Sequence, residues 1–234
     1  MTTIEVQRAD ERFLTDAGWL HSRHSFNFGS HYSPLHERHG LLLVNNDDVV
    51  APGQGFGTHG HRDMEIVTYV RSGAVSHRDS LGNEGRTEAG DVQVMSAGKG
   101  IVHSEFNLED EETSLFQIWI HPESAGGEPS WGTRPFPKAD RSGRFVTLAS
   151  GFPGDGDALP IRTPARVLGA TLRKGETVRY ELGAGRHAYC VPAAGAFDID
   201  GIRIDARDGV AISEVDGFTV TAVEDCELVL VDAL

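Results

Sequence analysis

The feature that most limits what this chain can fold into is its rhythm. Short runs rich in β-branched and apolar residues recur along most of its length, each closed by glycine, asparagine or aspartate. "LLLVNNDDVV" (41–50), "EIVTYV" (65–70), "AVSHRD" (74–79), "DVQVMS" (91–96) and "SLFQIWI" (114–120) read as strands, and "DSLGNEG" (79–85) is turn chemistry between two of them. After 143 the rhythm resumes in "RVLGATL" (166–172), "HAYCV" (187–191), "AFDIDGIRI" (196–204), "GVAIS" (209–213), "FTVTAV" (218–223) and "ELVLV" (227–231). No stretch sustains the 3.6-residue period of an amphipathic helix, so the chain is expected to be all-β, built as antiparallel sandwiches or barrels.

The chain divides in the middle. "HPESAGGEPSWGTRPFPKADRSG" (121–143) is rich in Pro, Gly and Ser and reads as a linker. On either side lies a related pattern: "YVRSGAV" with "AGDVQVMSAG" before it, "YCVPAAGAF" with "RDGVAISEVDG" after it. Two copies of one β module are the economical reading of 234 residues. The formal net charge of −14 argues against direct nucleic-acid binding. The apolar runs are too short for a membrane helix, and "MTTIEVQRADERF" has no apolar signal core. The two cysteines, Cys190 and Cys226, fit a reducing cytoplasm, with a single bridge between them left open.

Two pairs of side chains carry the chemistry. His59 and His61 stand two apart in "GFGTHGH", and His103 and Glu105 stand two apart in "GIVHSEF". Residues two apart on a strand point the same way. Three imidazoles and a carboxylate on such faces can hold a divalent first-row metal with coordination positions open; the plainer reading is a set of solvated edge residues.

"GQGFGTHGHRDMEIVTYVRSG" is similar to the first cupin motif, and "GDVQVMSAGKGIVHSEFN" is similar to the second, ending in His103 and Asn107. More narrowly, "HGHRDMEIVTYV", "HRDSLGN", "MSAGKGIVHSE" and the opening "GWLHSRHSFNF" resemble the pirin family of bicupins. The resemblance implies two cupin-type β-sandwich or barrel (jelly-roll) domains in tandem. They are a metal-binding domain over 1–125 and a degenerate one without a metal site over 126–234. It also implies the ligand set His59, His61, His103 and Glu105 around one divalent transition metal. Fe(II) is the first expectation; Mn, Ni, Cu and Zn remain open.

In activity the resemblance implies quercetin 2,3-dioxygenase chemistry on a flavonol-like substrate and O2; within the ligand set Glu105, the one charged base, is expected to act as catalytic proton acceptor when it loosens from the metal. The alternative it implies is a non-enzymatic, metal- and redox-sensing regulator that binds protein partners.

The chain departs from the general cupin pattern in places. Counting back from Gly73, the usual glutamate ligand position falls on Ile66, so Glu65 is expected to point away from the metal, as a supporting or surface group. Ser96 stands where proline is usual. Aligning Gly195 with Gly73 places Glu181 and Gly183 where His59 and His61 stand, so the second copy has no histidine pair. His21, His24, His31, His36 and His39 crowd the N-terminal segment without a repeated strand spacing. His24 is expected to be packed; His77, His121 and His187 read as structural or solvated.

Overall fold

The computed structural model describes residues 3–234. Among them there is no α-helix, only a 3₁₀ turn at Lys138–Arg141, and no helix long and apolar enough to cross a membrane. The strands form four open sheets in two copies of one β-sandwich.

In the first copy, a seven-stranded sheet runs in the order Ser130–Arg134, Val92–Ser96, Glu65–Ser72, Thr113–Ile120, Leu42–Val50, Leu20–His24, Phe13–Asp16. It faces a four-stranded sheet ordered Gly55–His61, Ile101–Phe106, Ala74–Asp79, Glu84–Glu88. The second copy repeats this with Gly209–Ser213, His187–Ala194, Cys226–Ala233, Arg166–Leu172 and Val146–Ser150 in its large sheet. Its small sheet is ordered Thr177–Glu181, Gly217–Ala222, Phe197–Ile199, Ile202–Ile204. Among the described strands, neighbours in a sheet pair antiparallel except for the short parallel bridge of Val146–Ser150 with Leu159–Pro160.

Several strands lie outside the expected runs, and two of them at sheet edges come from unexpected places. Within the Pro/Gly-rich 121–143 stretch, Ser130–Arg134 pairs with Val92–Ser96 and extends the first large sheet. At the start of the chain, Thr3–Gln7 pairs with Gly209–Ser213 and extends the second.

The two large sheets pack face to face. Val67, Tyr69, Phe116 and Ile118 of the first meet Leu148, Val167, Tyr189 and Val231 of the second in one apolar cluster. At its edge Arg141 is fully buried and donates to the Tyr69 hydroxyl (3.0 Å), the Gly90 carbonyl (3.1 Å) and the Glu227 carboxylate (3.3 Å). Each sandwich also has an interior of its own, and the two differ in kind. The second is hydrocarbon: Leu168, Phe197, Ile199, Val210, Phe218, Val220 and Leu228 fill it. The first buries Ser22, Asn46, Asp48, Thr68, Gln93, His103, Glu105 and Gln117. Buried polar groups are stable only when paired, and these pair with one another, as in Ser22 with Asp48 and Gln93 with Glu105.

Glu65 does point away from the histidines, but it is not a surface group. It is 1% exposed, and Ser96 Oγ donates to it at 2.6 Å. The serine that replaces the usual proline thus satisfies a carboxylate buried beside it.

The duplicated turn exposes a shared constraint. Gly73 and Gly195 have φ of 71° and 70°, where a side chain is strained. A Cβ on Gly195 would lie 2.1 Å from the Asp225 carbonyl oxygen, which is backbone; on Gly73 it would lie 2.4 Å from the Thr113 hydroxyl, which can rotate. Both alanine variants should lose roughly 1–3 kcal/mol to backbone strain, with Gly195→Ala the worse of the two. Denaturant unfolding of the pair measures the order, and equal losses would show that the carbonyl collision relaxes away.

Candidate metal centre

Gly55–His61 is the edge strand of the small sheet, and only Phe56 in it is strongly apolar. It holds its place through pairing with Ile101–Phe106, which sets His103 directly across from His59 and Ile101 across from His61. The backbones approach so closely that a Cβ on Gly55 would sit 2.3 Å from the Glu105 carbonyl oxygen. The register slips between His103 and Glu105, a β-bulge that re-aims the side chains beyond it.

Three of the four expected residues converge. The ligand nitrogens of His59, His61 and His103 all lie within 4.8 Å of one another, and His59 Nε2 is 3.1 Å from His103 Nε2. Two ring nitrogens each about 2.1 Å from one ion sit about 3.0–3.4 Å apart, so this spacing is that of neighbouring ligands. His59 Nδ1 donates to the Gly57 carbonyl at 2.7 Å, since a carbonyl can only accept, and this leaves Nε2 bare. The His61 ring meets the Trp119 ring edge-on at 5.0 Å. Burial, with His59 nearby, pushes His61 down to about 4 and His103 down to about 3, so both rings stay neutral at physiological pH.

Glu105 sits deeper. It groups with His103 and His77 rather than with the His59–His61–His103 triad as a whole. Gln117 Nε2 donates to one of its oxygens at 3.1 Å and Gln93 Nε2 to the other. Burial pushes its carboxyl up to about 7.

His77 has companions that the sequence reading did not give it. Its Nε2 lies 3.1 Å from the Asp79 carboxylate and its Nδ1 3.4 Å from His103 Nδ1; its ring stacks on Trp131 at 4.6 Å. The signal was present in "AVSHRD": His77 and Asp79 stand two apart, as the other pairs do.

Above the imidazoles opens a cavity of about 390 Å³. Its walls are Trp19, Leu20, Phe28, Phe56, Ile66 and Trp119, with Ser22, His24, Asn46, Asp48 and Gln117 on the polar side. Ile66 lines it at the position where a glutamate is usual. Trp19 meets Phe56 at 5.4 Å and Phe28 meets Trp119 at 5.6 Å, both edge-on, so the walls brace one another. His24 is packed as expected, stacked on Phe28 at 4.9 Å and bonded to Asn46 at 2.8 Å, and it also faces the cavity. Burial pushes Asp48 up to about 7, against a hydrogen bond from Ser22.

A pirin family model matches residues 6–120, and a model described as the quercetinase C-terminal cupin domain matches 147–233. A pirin-like protein of Caulobacter vibrioides is 62% identical over 98% of this chain and 99% of its own length. The chain belongs to the pirin family. The quercetin 2,3-dioxygenase of Escherichia coli K12 is 38% identical to this pirin, over 98% of both. The crystal structure of the E. coli bacterial pirin YhhW in complex with nickel(II) matches with a TM-score of 0.92 at 38% identity, covering 99% of both chains. The His/Glu cluster of this pirin is therefore a candidate metal site in a fold that holds a divalent ion in a relative.

The lowered pKa values have a direct signature. In the metal-free protein the ring resonances of His61 and His103 should keep their neutral positions from about pH 8 to about pH 5. They should move only as pH approaches about 4. A histidine NMR titration checks this; midpoints near the ordinary imidazole value would mean the rings are solvated.

Proposed function

We propose that this pirin is a metal-dependent dioxygenase that opens a flavonol such as quercetin with O2 and releases carbon monoxide. The observation that carries the reading is the aromatic-walled cavity of about 390 Å³ that ends on three convergent imidazoles. The quercetin 2,3-dioxygenase of E. coli, 38% identical over nearly the whole chain, supports it.

In this reading His59, His61, His103 and Glu105 hold one divalent transition metal. Iron(II) is the first choice, and the same donors suit Mn, Ni, Cu or Zn. The fit rests on the ligand-like 3.1 Å spacing of two Nε2 atoms and on rings that need lose no proton to ligate. The bound metal would acidify a coordinated enol or phenol and supply the centre for dioxygen chemistry.

The remaining work falls to the chain. Trp19, Phe28, Phe56 and Trp119 give a flat aromatic substrate apolar faces to lie between and keep bulk water out. Asn46, Asp48 and His24 meet its hydroxyl groups along the polar wall. Glu105 takes the proton of the reacting hydroxyl. Burial pushes this carboxyl up in the metal-free protein, and Glu105 is free to accept the proton once it loosens from the metal. Gln93 and Gln117 keep it aimed while it does so.

The test is anaerobic addition of quercetin to the iron-loaded protein, then O2, with headspace carbon monoxide measured. Stoichiometric release is expected; full metal occupancy without release would sink the enzyme reading and favour the metal-sensing regulator. Glu105→Gln should lower turnover per bound metal by about 10²–10⁴-fold near neutral pH. Activity should partly recover at alkaline pH, where the substrate arrives ionised. Parent-level turnover per metal in that variant would leave Glu105 no role as the base.

A further inference from the structure

We propose that Asp79 and His77 form a hydrogen-bonded relay that fixes the tautomer of His103, keeping its proton on Nδ1 and its Nε2 bare toward His59. The inference rests on the metal reading above and assigns positioning residues to it.

Asp79 is saturated with donors. Its Oδ1 receives the Leu81 N–H (2.9 Å) and the Asn83 N–H (3.1 Å), while its Oδ2 receives Asn83 Nδ2 (2.9 Å) and faces His77 Nε2 (3.1 Å). A carboxylate offers only lone pairs, so His77 Nε2 must carry a hydrogen and donate. Neutral His77 then has a bare Nδ1. That atom faces His103 Nδ1 at 3.4 Å, a long contact that is satisfied only if His103 supplies the hydrogen. The proton of His103 is thereby placed on Nδ1, and Nε2 keeps its lone pair. Nothing lets His77 swing out of line: its side chain is buried, and its ring lies flat against Trp131, 6° from parallel.

The relay has a consequence across the strand pair. His59 Nε2 is bare because Nδ1 donates to the Gly57 carbonyl. Two bare nitrogens 3.1 Å apart repel unless a cation lies between them. The chain thus uses hydrogen bonds outside the triad to hold two lone pairs in opposition, which is a cation site by construction. Partners of this kind behind a ligating histidine typically change metal affinity about 10–100-fold.

Asp79→Asn tests the polarity of the relay. Oδ1 is committed to two backbone N–H groups, so the amide NH2 must take the place of Oδ2 and point a donor at His77. His77 must then accept at Nε2 and carry its hydrogen on Nδ1, which forces the proton of His103 onto Nε2. His77→Phe keeps the stack on Trp131 and removes the acceptor, so it serves if the 80–83 turn fails in the first variant. Zn²⁺ affinity of the full chain is measured by competition with a chromophoric chelator, beside ¹⁵N-histidine spectra of the metal-free proteins.

The expected result is one Zn²⁺ per wild-type chain, affinity lower by about 10–100-fold in each variant, and His103 protonated on Nδ1 in the wild type and on Nε2 in Asp79→Asn. Unchanged affinity overturns the relay. So does a second zinc equivalent that His77→Phe abolishes, which would make His77 a ligand. If the wild type binds no zinc, the metal reading fails by itself, and the spectra still decide the tautomer: a wild-type His103 protonated on Nε2 overturns the relay.

Discussion

The strand Leu42–Val50 is buried on both of its faces, and much of the architecture turns on that. Because side chains alternate along a strand, adjacent aspartates are sent in opposite directions. Asp47 faces the second sandwich, where Arg71, Arg12 and Arg207 surround its carboxylate. Asp48 faces the cavity, where Ser22 is its hydrogen-bond donor and burial favours its protonated form. Burying two neighbouring carboxylates is costly unless each is paired or neutralised; here one is paired and the other neutralised. Arg207 reaches across from the second copy, so the sheet that backs the cavity is braced by the neighbouring module.

The two copies share one ladder pattern and differ in what fills it. The strand pair of the second small sheet that answers to Gly55–His61 and Ile101–Phe106 sets Phe218 across from Tyr180. Leu182 and Val220 lie two residues farther along, and all four are apolar or aromatic side chains packed in the second core. The Tyr180 and Phe218 rings lie 5.8 Å apart, where the His59 and His103 rings lie 4.4 Å apart. Matching strand pairs therefore yield a lone-pair cluster in one copy and a hydrocarbon core in the other. A metal site in this fold is a choice of side chains on a frame that stands without it.

Much of this was legible in the sequence because strand alternation is a strong code. "LLLVNNDDVV", "EIVTYV" and "SLFQIWI" became central strands, and the His59/His61 pair and His103 came together. What was not legible has physical reasons. Ser130–Arg134 carries a glycine and few apolar residues and is a strand because a sheet edge was open to it. Between a supporting and a surface role the sequence does not choose for Glu65, because nothing local announces the Ser96 hydroxyl that satisfies it. Glu181, the expected counterpart of His59, is exposed, while its neighbours Tyr180 and Leu182 pack into the core, because adjacent residues on a strand face opposite ways. His77 carries one local mark, Asp79 two residues on, but its other partners, Trp131 and His103, are distant in sequence, so the relay has no single local signature.

The strand Thr3–Gln7 belongs to the sheet completed by Gly209–Ser213, about two hundred residues later along the chain. During synthesis Thr3–Gln7 must wait unpaired until Gly209–Ser213 has emerged. Closing so long a loop adds to the entropic cost of folding and slows it. The first sandwich meanwhile takes its own outer strand from 130–134, beyond its other strands. The chain is thus fastened like a belt whose tip is tucked under a loop at the far end. The first sandwich, whose strands all lie between 13 and 134, is free to close while the second still waits for 209–213.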